Sequence, residues 1–202
     1  MLESVALAIA VVSILAGFVL YLASEHLAGS RAGRLAMLLG VLCLPLVAML
    51  AGVTHAYHES STTRFCLSCH EMQGHGKSMF VDDPQVLPAV HYQSRLVDRD
   101  RACFECHTNY AMFGDLRAKV DGLRHVWVHY MEEPPAKLEL YEPYPNTNCL
   151  HCHEDARSFA EAVPHRDQLD ALYRGERSCL ECHEQGHARE LVEEGALWLP
   201  DL

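Results

Sequence analysis

The chain is short of positive charge. It has 16 Lys and Arg against 27 Asp and Glu, a formal net charge of -11 over 202 residues. Binding of nucleic acid depends on clustered Lys and Arg at the phosphates, so we exclude nucleic acid as a partner. The acidic balance is typical of a solvated surface, and an acidic patch that docks a basic redox protein is the alternative.

Two stretches lack charged residues altogether, and both are apolar. They run from Val5 to Ala23 and from Leu35 to Val53, each about the 20 residues that cross a bilayer core as a helix. We predict a membrane anchor over residues 1–54, with helices at about 5–23 and 35–53, and a second domain over 55–202. A cleaved signal peptide is the alternative for the first run, but its start lacks a basic residue and it is long for a signal core.

The turn between the two apolar runs indicates the orientation. It carries Arg31 and Arg34, and basic residues flanking membrane helices favour the cytoplasmic side. Everything after Thr54 then lies on the opposite face. In a bacterium this is the periplasmic side of the inner membrane.

Eight of the nine Cys occur as pairs separated by two residues, and a His follows each pair. The four segments are Cys66-Leu-Ser-Cys69-His70, Cys103-Phe-Glu-Cys106-His107, Cys149-Leu-His-Cys152-His153 and Cys179-Leu-Glu-Cys182-His183. C-x-x-C-H is the attachment pattern of c-type haem, because two thiols on one turn reach the porphyrin vinyl groups while the His faces the iron. We predict four covalently bound haem c groups. Zinc is the competing ligand of paired Cys, but zinc does not require a His after each pair.

The spacing of these segments predicts the fold class. Stretches of roughly thirty to fifty residues between attachment sites are too short to build much of a side-chain core. The haems must supply most of the buried apolar surface. We therefore predict a mainly α and irregular fold: two N-terminal transmembrane helices followed by a haem-packed multihaem cytochrome c domain with little or no β-sheet.

The order of the motifs resembles a known family. Cys66 to Met72 follows a membrane helix, His91-Tyr-Gln-Ser precedes the second site, and Cys179 to His187 closes the series with one more His. Over roughly residues 36–190 this pattern resembles the NapC/NirT family of membrane quinol dehydrogenases. Lys119 to Trp127 resembles the NrfH branch, which serves ammonia-forming nitrite reductase.

The resemblance implies the remaining iron ligands. Met72 would ligate the first haem iron in place of the usual His, and His91 and His187 would be distal ligands of the third and second haems. His165 is a candidate distal ligand of the fourth haem, a position that the partner enzyme can fill in the NrfH branch. The full set of predicted ligands is His70, Met72, His91, His107, His153, His165, His183 and His187.

The resemblance also implies a quinol site beside the first haem, with Lys119, Asp121 and His125 as its catalytic residues. His125 stands where the NrfH branch tends to have an Asp, so it either ligates the first iron or accepts a proton from quinol. The chain departs from the family in two further ways. It has an additional membrane helix, and His187 lies one residue nearer to the last motif than usual.

These features together predict a membrane-bound electron-transfer subunit. It would oxidise menaquinol or ubiquinol and relay electrons through four haems to a periplasmic multihaem reductase, with nitrite reductase favoured. One alternative is a passive membrane-anchored carrier that another protein reduces. The other is transfer in the reverse direction, from the haems to quinone.

Overall fold

The computed structural model describes residues 2–110, 112–133, 135, 138, 140 and 142–198. Throughout this part the regular structure is helical, without a strand, and the β-type pairing is an isolated antiparallel bridge between Val81 and Leu197. The predicted fold class is thereby confirmed. The chain divides into two compact units, Met1–Phe65 and Cys66–Leu202. The predicted domain boundary at residue 54 stays a prediction.

The first unit contains the two apolar helices, α1 (Leu2–Leu22) and α3 (Arg31–Glu59), with the short helix α2 (Ser24–Leu27) between them. By length and composition, α1 and α3 can each cross a membrane. Helix α3 is longer at both ends than the apolar run predicts. Its start is fixed by Ser30, whose side chain accepts a hydrogen bond from the Gly33 N–H at 2.9 Å, because Ser satisfies an amide that the first helical turn leaves free.

Small residues let the apolar helices of this unit approach closely. A Cβ atom added at Gly40 of α3 would overlap the side chain of Leu20 on α1. Small residues at such crossings are common in membrane helix pairs, since packing rather than the hydrophobic effect drives their association. Pro45 lies inside α3, which membrane helices tolerate.

The second unit is a series of short helices joined by turns. Helix α4 (Thr63–Cys66) ends at the first Cys of this unit. The helices that follow are α5 (Gln73–Lys77), α6 (Leu87–Gln93), α7 (Ala102–His107), α8 (Gly114–Met131), α9 (Asn146–His153), α10 (Arg157–Ala160), α11 (Val163–Arg166), α12 (Leu169–Tyr173) and α13 (Arg189–Glu193). Single 3₁₀ turns lie at His70–Met72, Ser78–Phe80 and Cys179–Glu181.

The side-chain core of the second unit is small. Among the described residues, one cluster has Val81, Val86 and Ala89 as its buried members. The other is made of Leu150, Phe159 and Leu172. Met79, Ala102 and Phe104 are also buried, which makes nine buried apolar residues in the described part of this unit. Nine cannot stabilise a unit of this length by apolar burial alone, since even a large side chain contributes only about 1.5–3 kcal/mol. The prediction that prosthetic groups supply the missing apolar surface stays a prediction, and this small core supports it.

Candidate haem-binding segments

Helix ends position two of the four attachment motifs. The second motif lies in α7, which ends at His107, and the third lies in α9, which ends at His153. Residues three apart on a helix share a face, so the two thiols of each motif point the same way, as a double thioether to one porphyrin requires. The imidazoles of all four motifs, His70, His107, His153 and His183, are exposed. The polypeptide leaves them free to face a bound group.

The cysteines bring the motifs together in sequence order. The Cys66 thiol of the first motif hydrogen-bonds with Cys103 of the second, a contact that lowers the pKa of Cys66 to about 7. Cys149 of the third motif hydrogen-bonds in the same way with Cys179 of the fourth. In the predicted haem-bound protein these sulfurs would be thioethers. Their contacts therefore indicate which attachment points are neighbours.

Polar side chains connect the second motif to the third. The Tyr144 hydroxyl and the Asn148 side-chain amide both donate to the Cys106 carbonyl, the latter at 3.1 Å. Asn146 lies next to them in α9 and reaches onward: its Oδ1 accepts from the Cys179 N–H at 3.0 Å. These bonds keep the second motif next to the third, and the third next to the fourth.

Three of the predicted distal histidines each face the motif histidine assigned to them. The ring centroids are 5.9 Å apart for His187 and His107, whose ring planes are nearly parallel. The other separations are 6.0 Å for His91 and His153, and 6.3 Å for His165 and His183. Metal–nitrogen bonds of about 2 Å on opposite faces of one iron put two imidazole centres about 6 Å apart. The residues fit the second, third and fourth haems, and their ligation stays a prediction that this spacing supports.

Hydrogen bonds fix the tautomer of two of these distal rings. His91 Nδ1 lies 2.8 Å from the Leu87 carbonyl, and His165 Nδ1 lies 2.8 Å from the Phe159 carbonyl. A carbonyl only accepts, so each Nδ1 carries a proton, and in the neutral form of each ring Nε2 presents a lone pair. Metal-binding imidazoles are oriented by this same kind of bond at the second nitrogen.

His187 reaches the same state through a hydroxyl. The Ser78 hydroxyl donates to the His75 carbonyl at 2.6 Å, and its oxygen lies 2.7 Å from His187 Nδ1. Because the one hydroxyl proton is used on His75, Ser78 accepts from His187. Burial lowers the pKa of His187 to about 4. The ring is therefore neutral at pH 7, with Nε2 available to a metal.

The first motif is built differently. Glu71 Oε1 lies 2.7 Å from His129 Nδ1, and Glu71 Oε2 lies 3.4 Å from His70 Nδ1. Met72, the predicted ligand, is half-buried in the same 3₁₀ turn. His129 lies on α8 and was missed by the sequence analysis. Nothing in the local sequence distinguishes it from the other histidines outside the motifs.

Of the three predicted quinol-site residues, Asp121 and His125 lie one turn apart on the same side of α8, and Lys119 lies on the other side. Lys119 Nζ is 4.2 Å from the ring centroid of Phe104, inside the second motif. Burial lowers the pKa of Lys119, while the nearby Cys66 thiol opposes that shift. Asp121 is 200° further round the helix, since each residue turns it by about 100°, and forms an exposed ion pair with Arg117 at 3.9 Å. His125 is also exposed. The structure brings Lys119 to the first two motifs and does not bring Asp121 beside it.

Paired rather than clustered ligands separate this arrangement from a zinc site. In the described part of the chain, no three His, Cys, Asp or Glu converge on a point where they could hold a metal ion. Structural zinc takes four protein ligands in a tetrahedron. Two imidazoles facing each other across about 6 Å instead suit a metal held in the plane of a porphyrin.

A chain with two apolar helices followed by C-x-x-C-H segments is a membrane-anchored cytochrome c. It belongs to the NapC/NirT cytochrome c family, whose N-terminal region matches residues 29–143. The predicted family is thereby confirmed, and with it electron transfer by c-type haem. The match begins just before α3 and ends before Cys149. The third and fourth motifs lie outside it, and the number of haems stays a prediction.

The curated relatives agree with this assignment. The cytochrome c-type protein NapC of Paracoccus pantotrophus is 26% identical over 176 residues, which cover 75% of this chain and 70% of NapC. The cytochrome c-type protein TorC of Escherichia coli (strain K12) is 27% identical over 149 residues, 65% of this chain but only 36% of TorC. No solved structure matches the chain. The resemblance of Lys119 to Trp127 to the NrfH branch stays a prediction.

Proposed function

We propose that this chain is a quinol dehydrogenase subunit. It takes electrons from menaquinol or ubiquinol in the bacterial inner membrane and passes them to a periplasmic multihaem reductase. The observation that carries the proposal is the series of four C-x-x-C-H segments behind two membrane-type helices, three of them with a facing histidine. Haem c, when bound, supplies one-electron transfer.

The polypeptide has two tasks in this function. The eight motif cysteines would attach the haems, and three histidine pairs would hold their irons: His107 with His187, His153 with His91, and His183 with His165. The Cys66–Cys103 and Cys149–Cys179 contacts, and the Tyr144 and Asn148 bonds to Cys106, keep successive attachment points adjacent. Fixed spacing and fixed ligand tautomers are what the protein contributes to a redox cofactor.

Quinol oxidation is assigned to the region beside the first motif. Lys119 is half-buried, stands next to Cys66 and lies over the Phe104 ring. A cation in such a place stabilises the negative charge that develops on a quinol oxygen as its proton leaves. His125 and Asp121 are the predicted proton acceptors, since an imidazole or a carboxylate can act as general base, but they lie on the other side of α8 from Lys119 and would not serve the same quinol oxygen.

The membrane orientation and the acceptor complete the proposal. Arg31 and Arg34 at the start of α3 favour a cytoplasmic turn, which puts the haem-binding unit in the periplasm. The NapC/NirT family resemblance implies a periplasmic reductase as the acceptor class. Ammonia-forming nitrite reductase remains the favoured acceptor through the Lys119 to Trp127 resemblance alone.

An anaerobic stopped-flow experiment tests this function. The detergent-solubilised, haem-loaded protein is mixed with a reduced quinol analogue, and the growth of the c-type absorbance bands is followed. We expect rapid reduction that a quinol-site inhibitor blocks and that Lys119→Met slows at least tenfold. Arg174→Met is the control, because Arg174 is an exposed cation that pairs with Glu176 away from α8.

Each result of that experiment is decisive. Reduction by dithionite but not by quinol would overturn quinol oxidation and leave a passive carrier. Equal slowing by both variants would overturn the role of Lys119. Faster oxidation of the reduced haems by quinone than reduction by quinol would establish the reverse direction.

A further inference from the structure

The first motif shares a sequence feature with the third and fourth but not its environment. A Glu follows the motif His in all three: Glu71, Glu154 and Glu184. Glu154 and Glu184 are exposed, whereas only 17% of the Glu71 side chain is accessible. Of these three Glu side chains, Glu71 has a carboxylate that a residue of another helix contacts, namely His129 of α8.

The Glu71 carboxylate is aimed at the motif histidine. One oxygen, Oε1, accepts from His129 Nδ1 at 2.7 Å. The other, Oε2, is buried without a hydrogen bond of its own and lies 3.4 Å from His70 Nδ1. A buried acceptor left without a donor is costly. A small rotation of the exposed His70 ring gives Oε2 the donor that it lacks.

His129 does not fit as a fourth distal ligand, although its ring centroid lies 6.1 Å from that of His70. When two imidazoles bind one iron through Nε2, their Nδ1 atoms point outward on opposite sides of the porphyrin. One carboxylate cannot reach both. At the first motif a single carboxylate lies at both Nδ1 atoms. Both rings are therefore on the same side of any porphyrin bound here.

We propose that Glu71 is a positioning residue for the first haem: it accepts the His70 Nδ1–H, and His129 holds the carboxylate in place. The inference rests on the haem attachment in the proposed function. A carboxylate acceptor fixes the imidazole ring and makes Nε2 a stronger donor, which stabilises the ferric state and lowers the reduction potential. The proposal also makes His70 the axial ligand that the first motif supplies to the first haem. The family resemblance implies Met72 in that role.

A mediated spectroelectrochemical titration of the haem-loaded protein tests the proposal. In Glu71→Gln we expect one haem component to move to higher potential while the other components stay unchanged. Glu154→Gln and Glu184→Gln are matched controls at the same motif position, and neither should shift any component. In His129→Gln the same component should move in the same direction by a smaller amount, because Glu71 keeps Oε2 near His70 but loses its anchor.

Three results would overturn the proposal. The first is an unshifted titration of Glu71→Gln with its haem content intact. The second is a high-spin ferric signal in His129→Gln that the parent protein lacks, which would make His129 a ligand. The third is a methionine–iron charge-transfer band in the parent protein that disappears in Met72→Leu. The titration uses redox mediators instead of quinol. It therefore tests the role of Glu71 even if the protein does not oxidise quinol.

Discussion

The first attachment motif and the last two begin from the same Cys-His-Glu sequence and end in different surroundings. Glu71 is covered by α8, whereas Glu154 and Glu184 lie at the surface. Conversely, the third and fourth motif histidines each face a second histidine bonded to a backbone carbonyl. The motif therefore supplies the residues for covalent attachment. The element that packs against the motif decides whether its histidine meets a carboxylate or a second histidine.

The two regions also differ in how they are held together. The third and fourth motifs are joined by Asn146, a buried side chain that bonds only to backbone groups. The first motif is held to α8 by side chains alone, through Glu71 and His129. Backbone bonds give a rigid frame for an electron relay. Side-chain bonds leave the first position open to tuning, and this is the end that we assign to quinol.

The largest expected effect comes from removing a distal histidine of the last two motifs. His91→Ala or His165→Ala deletes an axial nitrogen, and we expect one low-spin haem to become high-spin in the ferric state. Electron paramagnetic resonance of the oxidised protein measures this. His129→Ala should leave the spin states unchanged, because His129 contacts a carboxylate and not an iron. If all three variants gained a high-spin signal that the parent protein lacks, the proposed difference between the two regions would be wrong.

A smaller effect is expected from Asn146→Ala. The change removes the acceptor of the Cys179 N–H and the donors to the Leu172 and Arg177 carbonyls at 2.8 Å and 2.7 Å. Each buried group left unpaired costs about 1–3 kcal/mol, so the free energy of unfolding should fall by at least about 2 kcal/mol. Thermal unfolding followed by circular dichroism measures it.

Asn148→Ala is the control for that variant. Asn148 belongs to the same helix, and its side-chain amide donates to the Cys106 carbonyl, which also accepts from the Tyr144 hydroxyl. We expect its loss to destabilise the protein less. If both variants lost the same free energy of unfolding, Asn146 would have no special role in holding the third and fourth motifs together.

Much of this arrangement could be predicted from the sequence because its signals are local. The two apolar runs predicted α1 and α3, and C-x-x-C-H predicted haem c, which membership of the family confirms. The extension of α3 to Glu59 was missed, since its last turn is polar and extends beyond the apolar run.

The contact between Glu71 and His129 could not be predicted, because it spans 58 positions. No periodicity joins residues so far apart, and the same Glu recurs twice without any such partner. The distal assignments of His91, His165 and His187 came from resemblance rather than from spacing. The ring separations now support them, and they remain predictions for the experiment above.

The smallest effect is expected at the second motif, where a neutral hydroxyl does what a carboxylate does at the first. Ser78 is fully buried and accepts from His187 Nδ1. In Ser78→Ala the ring keeps its iron but loses its acceptor, so the second haem should stay low-spin and shift slightly to higher potential. The shift should be smaller than in Glu71→Gln, since a charged acceptor strengthens a donor hydrogen bond more than a neutral one. Ser78→Thr keeps the hydroxyl and should restore the parent potential in the same titration, whereas a Ser78→Ala shift as large as that of Glu71→Gln would mean that the charge of Glu71 has no special role.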